Sequence, residues 1–285
     1  MTKTKYSKIW YLIGALLAAN IAAHTTVSAI TPRNYAALHF FDVGQGDGIY
    51  LRTIGGNDVL VDTGPGDVIL SKLGRVMPFW DRTIEFVVLT HPHADHISGM
   101  IQVLKRYEVK AAMIPEVDYD SQIYNELLRS LKDHGVEVVR PKAGQRILLD
   151  QSTVLDIYFP ILENVEAKDI NDTSIVSKLS FGNLNVLLTG DAGKDVEEWL
   201  IAFDFPIESE ILKVGHHGSR HSSAKAFLDK TSSTYNVISV GKNSYGHPHE
   251  EVLGLFADKK AQILRTDERG DVVFEIYPDE FKLRD

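Results

Sequence analysis

Leu89-Thr-His-Pro-His-Ala-Asp-His-Ile-Ser-Gly99 decides how this chain is read. The run before it, Glu85-Phe-Val-Val-Leu-Thr90, is short, apolar and β-branched, the pattern of a buried strand. After it, Ile97, Ile101 and Leu104 recur at helical spacing, which predicts a helix from Ile97 to Tyr107. His91, His93, Asp95 and His96 therefore fall on a short loop between a strand end and a helix start. His91 and His93 are two residues apart, so in extended chain they point the same way. Asp95 and His96 reach a second point nearby. The spacing suits two cations held close together through shared oxygen ligands. Imidazoles and a carboxylate without thiolates fit Zn²⁺, Mn²⁺ or Fe²⁺.

Three more strand ends carry the same chemistry. Leu187-Leu-Thr-Gly-Asp191 ends in a carboxylate. Leu212-Lys-Val-Gly-His216-His217-Gly-Ser219 ends in imidazoles flanked by glycines that let backbone approach a site closely. One of His216 and His217 completes a metal shell with Asp95, His96 and Asp191, and the other orients substrate or water; spacing alone leaves the choice open. Ser219 is placed to touch a substrate oxygen, and His221 is the weaker candidate beside it. Ser239-Val-Gly241 leads to Tyr245-Gly-His247-Pro-His249, with His247 at the mouth of the site. Eight of the 11 histidines lie in the loops around 91–96, 216–221 and 247–249, which chance scatter does not explain. His134 differs: in Asp133-His134-Gly135 it reads as a cap at a helix C-terminus.

Taken in order, Ala36–Asp42, Gly48–Thr53 and Val59–Asp62 read as strands, with the tight turn Gly44-Gln-Gly-Asp47-Gly48 between the first two. Val68–Val76 reads as a helix. After the His-rich segment come a strand at Val109–Ile114, a helix at Tyr119–His134, and strands at Val136–Arg140, Arg146–Leu149 and Thr153–Phe159. The pattern then repeats: a hairpin of Thr173–Phe181 and Leu184–Thr189 about Gly182-Asn183, helices at Lys194–Phe203, Ser222–Lys230 and Glu250–Lys259, and strands at Glu210–Val214, Tyr235–Val240, Ala261–Leu264 and Asp271–Ile276. Two halves, each with strands first and helices after, predict an α/β fold of two sheets face to face with helices outside. No Pro/Gly/Ser linker divides residues 30–285, so they read as one domain.

The His-x-His-x-Asp-His string after a hydrophobic strand resembles the signature of the metallo-β-lactamase superfamily. Phe41-Asp-Val-Gly-Gln-Gly-Asp47 and the closing Tyr245-Gly-His247 segment resemble its competence-channel group, the C-terminal domain of ComEC-type proteins and their stand-alone secreted relatives. The resemblance implies an αββα sandwich of two mixed sheets over residues 36–285. It implies metal ligation by His91, His93, Asp95 and His96, bridging by Asp191, and support from Asp47 and Asp62. It also exposes a departure: many members have a third His for the first metal, and only His134 lies in that interval. Asn171-Asp172-Thr-Ser174 stands there instead. Asn171 or Asp172 then supplies an oxygen ligand or, with Ser174, holds substrate, which weakens the first site and favours Mn²⁺ over Zn²⁺.

At the N-terminus, Lys3, Lys5 and Lys8 precede an apolar run from Ile9 to Ala19, and Val27-Ser28-Ala29 offers a cleavage site. This is the order of a secretory signal over residues 1–29; the apolar run is short for a membrane span, and an uncleaved anchor is the alternative. Without that segment 27 basic residues face 39 acidic ones, a net charge of −12. Such acidity argues against a stable nucleic-acid partner and leaves metal ions as the local source of positive charge. There is no cysteine, hence neither disulfide nor thiolate site. The expectation is a secreted hydrolase with two divalent ions, Zn²⁺ or Mn²⁺, using a metal-bridging hydroxide on a phosphodiester, with DNA as the leading substrate. Asp95 would orient the nucleophile, and His247 would contact phosphate or protonate the leaving group. Phosphocholine or teichoic-acid-type polymers, a β-lactam, and a non-catalytic binding role are the alternatives.

Overall fold

The computed structural model describes residues 9–20, 34–161, 169–257 and 261–284. Contacts divide the chain between Arg33 and Asn34. Residues 9–20 are helical and exposed, and no helix among the described residues is long and apolar enough to cross a membrane. Lys3, Lys5, Lys8 and the expected cleavage site at Val27-Ser28-Ala29 lie outside the described residues.

In the unit that begins at Asn34, the first half runs β1 (Ala36–Phe40), β2 (Gly48–Arg52), β3 (Asp58–Thr63), α1 (Val68–Val76), β4 (Thr83–Val88), α2 (Ala94–Leu104), β5 (Glu108–Met113), α3 (Gln122–Asp133) and β6 (Glu137–Val139). The second runs β7 (Arg146–Leu148), β8 (Thr153–Phe159), β9 (Val176–Phe181), β10 (Leu184–Leu188), α4 (Lys194–Ala202), β11 (Ile211–Lys213), α5 (Lys225–Thr231), β12 (Tyr235–Ile238), α6 (Glu250–Ala257), β13 (Gln262–Arg265), a single turn α7 (Thr266–Arg269), β14 (Val272–Ile276) and β15 (Phe281–Arg284). One sheet has the order β15-β14-β1-β2-β3-β4-β5-β6 and the other β13-β12-β11-β10-β9-β8-β7.

Period-two alternation explains the layers. Val59 and Val61 of β3, and Leu184, Val186 and Leu188 of β10, fill the core between the sheets. Leu60 packs outward beneath α1, α2 and α3, while Leu187 and Leu212 pack outward beneath α4, α5 and α6. Three apolar layers of this kind make the αββα sandwich.

Each sheet is parallel on one side and antiparallel on the other. β3 to β6 pair in parallel, as do β10 to β13. Every candidate strand end named above lies at the carboxyl end of one of these parallel strands, where open α/β sheets place their ligands.

Four expectations are corrected. The two halves do not form one sheet each, because β14 and the unforeseen β15 cross to the first sheet, β14 pairing with β1. α2 starts at Ala94, so Asp95 and His96 belong to its first turn and not to a loop. Residues 170–173 form a 3₁₀ turn and not the start of β9; the Asp169 carboxylate accepts the Asn171 N–H and the Thr173 hydroxyl donates to the Ile170 carbonyl, local bonds that compete with strand pairing. α5 starts at Lys225 rather than Ser222, because the Glu197 carboxylate takes the N–H groups of Ser223 and Ala224 ahead of it.

Candidate metal centre

Asp62, near the end of β3, is fully buried with its backbone in the left-handed region at φ 58°. One oxygen accepts the Thr90 N–H at 2.8 Å; the other accepts the Thr90 hydroxyl at 2.6 Å and His96 Nδ1–H at 2.7 Å. With its proton directed at Asp62, the Thr90 hydroxyl accepts from His91 Nδ1 at 3.1 Å. One carboxylate thus fixes both imidazoles, leaving the Nε2 atoms of His91 and His96 facing inward, the usual way a metal-ligating His is oriented. His91 Nε2 is 3.0 Å from His93 Nδ1, close to the roughly 3.3 Å that two nitrogens on one tetrahedral Zn²⁺ would show.

Asp191 leaves β10 through Gly190, and its N–H is held by Ser174 Oγ at 3.0 Å. Its Oδ2 lies 3.3 Å from His96 Nε2, 3.3 Å from His217 Nε2, and 4.0 Å from both His91 Nε2 and His216 Nε2. Asp95 Oδ2 lies 3.5 Å from His217 Nε2 and 4.0 Å from His96 Nε2. His216 and His217 are consecutive left-handed residues, at φ 46° and 53°, a conformation costing about 1–2 kcal/mol for each non-glycine residue. That turn buries His217, whose Nδ1–H donates to the Ser239 carbonyl at 2.7 Å, and leaves Nε2 for the cluster.

The residues present fit metal ions. Among the described residues His96 Nε2, His217 Nε2 and Asp191 Oδ1 are buried without a hydrogen-bond partner, an arrangement native interiors rarely tolerate. Two ligand groups, His91/His96/Asp191 and Asp95/His96/His217, each gather their donor atoms within 4.8 Å. The charges agree. Burial works to lower the His96 and His217 pKa values, but Asp191 and its neighbouring carboxylates outweigh it, holding His96 well above its ordinary value and pushing His217 up to about 9. The same contacts hold Asp191 well below the carboxylate range against the effect of burial. Burial and the nearby His96 keep His91 well below its ordinary value. The cluster therefore attracts positive charge, and a divalent cation would displace its protons.

The metallo-beta-lactamase superfamily model matches residues 41–242. The chain belongs to that superfamily. ComE operon protein 3 of Bacillus subtilis is 30% identical over 267 residues, 83% of this chain and 34% of that protein. Competence protein ComA of Neisseria gonorrhoeae is 30% identical over 254 residues, 85% of this chain and 33% of that protein. The chain thus spans about a third of the length of these curated relatives. Among solved structures, CmlA, a diiron beta-hydroxylase from Streptomyces venezuelae, superimposes with a TM-score of 0.58 over 85% of this chain and 54% of that chain, at 14% identity, a likeness of fold alone.

Within this metallo-β-lactamase framework the remaining candidates separate by position. Asp47 is buried, with Oδ2 2.6 Å from Lys213 Nζ. Its turn presses against α2, where a Cβ on Gly46 would sit 2.1 Å from the Asp95 carbonyl oxygen. Ser174 positions Asp191, and Asp172 Oδ1 accepts the Gly193 N–H at 3.0 Å. Asn171 is buried, and its Oδ1 has no partner among the described residues. Ser219 is buried and its Oγ accepts the His221 N–H at 3.3 Å, ordering the turn after His217. The His247 ring lies 5.3 Å from that of His216, and burial with the neighbouring imidazoles pushes its pKa down to about 4. His134 caps α3, its Nδ1 2.8 Å from the Ser130 carbonyl, on the exposed surface.

Sequence reasoning missed three cations. Lys213 is fully buried, hydrogen-bonded to the Gly190 carbonyl at 3.1 Å and 3.8 Å from Asp191 Oδ1. A lysine inside an apolar strand flanked by parallel neighbours was the available signal, since such a charge needs a buried partner. Lys194 and Arg220 line a cavity of about 310 Å³ that opens beside Asp191 and His216; nothing in their local sequence marks them.

Proposed function

We propose that this chain is a binuclear metal-dependent phosphodiesterase that cleaves DNA outside the cytoplasm. The observation that carries the reading is the position of Asp191 Oδ2, 3.3 Å from His96 and His217 and 4.0 Å from His91. One carboxylate oxygen stands between both ligand groups, as a bridge between two cations requires. His91, His93 and Asp191 would hold one ion, with an oxygen of Asp172 in place of a third His. Asp95, His96, His217 and Asp191 would hold the other. Two divalent ions, Zn²⁺ or Mn²⁺, would lower the pKa of a bound water and offset charge on phosphoryl oxygens.

The protein groups supply orientation. Asp95 is held below the usual carboxylate range by His217 and His96, which outweigh the effect of burial; ionised and partly exposed, it accepts a hydrogen bond from the attacking water. His216 and a neutral His247 approach phosphate oxygens as N–H donors. Ser219 contributes by fixing the turn that carries His217. Relatives named for competence and recombination favour DNA as the polymer, and residues 1–29, read as an export signal, favour an extracytoplasmic site.

The test is hydrolysis of bis(p-nitrophenyl) phosphate and of single- and double-stranded DNA with Mn²⁺ and with Zn²⁺. The expected result is turnover of both substrate types, lost in His93→Ala and Asp191→Ala. Turnover of the small ester without DNA cleavage under either metal would remove the nuclease assignment. Hydrolysis of a glycerol-phosphate polymer in its place would move the reading to the cell surface.

A further inference from the structure

The cavity of about 310 Å³ beside the cluster has two cations in its lining, Lys194 and Arg220, that the metal-centred reading leaves unused. Its volume lies at the low end of small-ligand sites, room for roughly one nucleotide unit. Asp191 and His216, which belong to the metal cluster, line it together with Lys194 and Arg220. The Lys194 N–H donates to the His221 carbonyl at 2.9 Å, and the Ser222 N–H closes a turn onto the Ser219 carbonyl at 3.1 Å. Backbone bonding therefore ties the start of α4, which carries Lys194, to the turn that carries Arg220, and both cations line one cavity. Among the described residues neither side chain has an ion-pair partner. Asn171 adds to the lining a buried side-chain carbonyl oxygen without a partner among the described residues.

We infer that this cavity is a subsite for a second phosphate of a polymeric phosphodiester, the one adjacent to the scissile bond. The inference rests on the phosphodiesterase reading and extends it to substrate length. Arg220 offers the forked donors that suit phosphate oxygens, and Lys194 a point charge beside them. Asn171 Oδ1 accepts from an N–H or O–H of the same unit. Asp169, Asp172, Asp191 and Asp195 also line the cavity. Asp169 Oδ1 accepts the Asn171 N–H and Asp172 Oδ1 the Gly193 N–H, each at 3.0 Å. These carboxylates repel a phosphate that strays from the two cations, fixing the register of the chain. A protein of net charge −9 needs such local capture, because it lacks a broad basic surface.

The experiment compares kcat/KM on an octathymidylate with that on the dinucleoside monophosphate dTpdT, which has one phosphodiester and no second phosphate. Wild type should favour the longer substrate, and the double variant Lys194→Gln/Arg220→Gln should reduce that ratio by about tenfold or more. A ratio unchanged in the variant overturns the subsite. In parallel, binding of a fluorescent phosphorothioate octathymidylate to the metal-loaded full chain is compared with binding of its uncharged methylphosphonate counterpart. The variant should weaken the charged oligomer alone. If wild type cleaves nothing yet binds the charged oligomer through Lys194 and Arg220, the phosphodiesterase reading fails while the subsite stands. Equal binding by wild type and variant removes the subsite whatever the activity.

Discussion

The two sides of the cluster orient their imidazoles by different means. On the side built from β3, β4 and α2, Asp62 takes three hydrogen bonds and fixes His91 through Thr90 and His96 directly. On the side built from β11 and β12, His217 is held by the Ser239 carbonyl and by a doubly left-handed backbone, over a buried Lys213–Asp47 ion pair. The first arrangement uses one buried carboxylate to hold two imidazoles. The second uses backbone strain and a pair whose members are far apart in sequence. The lesson is that one buried carboxylate suffices where a strand end meets a helix start, whereas His217 relies on backbone strain and on an ion pair that only the finished fold assembles.

This contrast can be broken at its weakest point. Lys213→Met should cost about 3–5 kcal/mol in denaturant unfolding, because it leaves Asp47 buried and unpaired, and Lys213→Met/Asp47→Asn should recover most of the loss. Equal destabilisation in the double variant would mean that the pair matters only through packing.

Glu197 tests the support of the turn beyond His217. Burial pushes its carboxyl up to about 7 against the two N–H donors of Ser223 and Ala224. A pKa raised in the folded state means that the native protein binds the proton more tightly than the unfolded chain. Its contribution is then full below pH ~4.5 and lost as pH rises through about 7, up to roughly 3 kcal/mol. Unfolding free energies of the metal-free protein from pH 4 to 8 should show this fall, and Glu197→Gln should flatten it.

Asp62→Asn sharpens the comparison from the other side. Without a full carboxylate, His91 and His96 lose their common anchor, and metal affinity measured by competitive chelation should fall about 10–100-fold. The smallest effect distinguishes the two adjacent imidazoles. His217→Ala should lower metal stoichiometry by one ion, while His216→Ala should leave stoichiometry unchanged and alter only substrate turnover.

Much of this was legible in the sequence because the chemistry sits where periodicity ends. Strand runs terminating in His91, Asp191 and His216 announced both the sandwich and the place of its site. Asp62 was legible as support only through family resemblance, since a strand-end Asp before a Gly-rich loop is also an ordinary turn. Spacing did not separate His216 from His217, because the difference lies in backbone dihedrals that place His217 beneath Ser239. The pairing of Lys213 with Asp47 was hidden because the two stand 166 positions apart. The passage of β14 and β15 to the first sheet was hidden for the same reason: pairing between β14 and β1 is a property of the closed fold.

The most direct measurement is metal content of the dialysed, reconstituted chain by plasma mass spectrometry, for wild type and for Asp191→Asn. If Asp191 bridges two ions, wild type will hold close to two per chain and the variant no more than one. One ion or none in wild type, or two in the variant, would contradict the binuclear site.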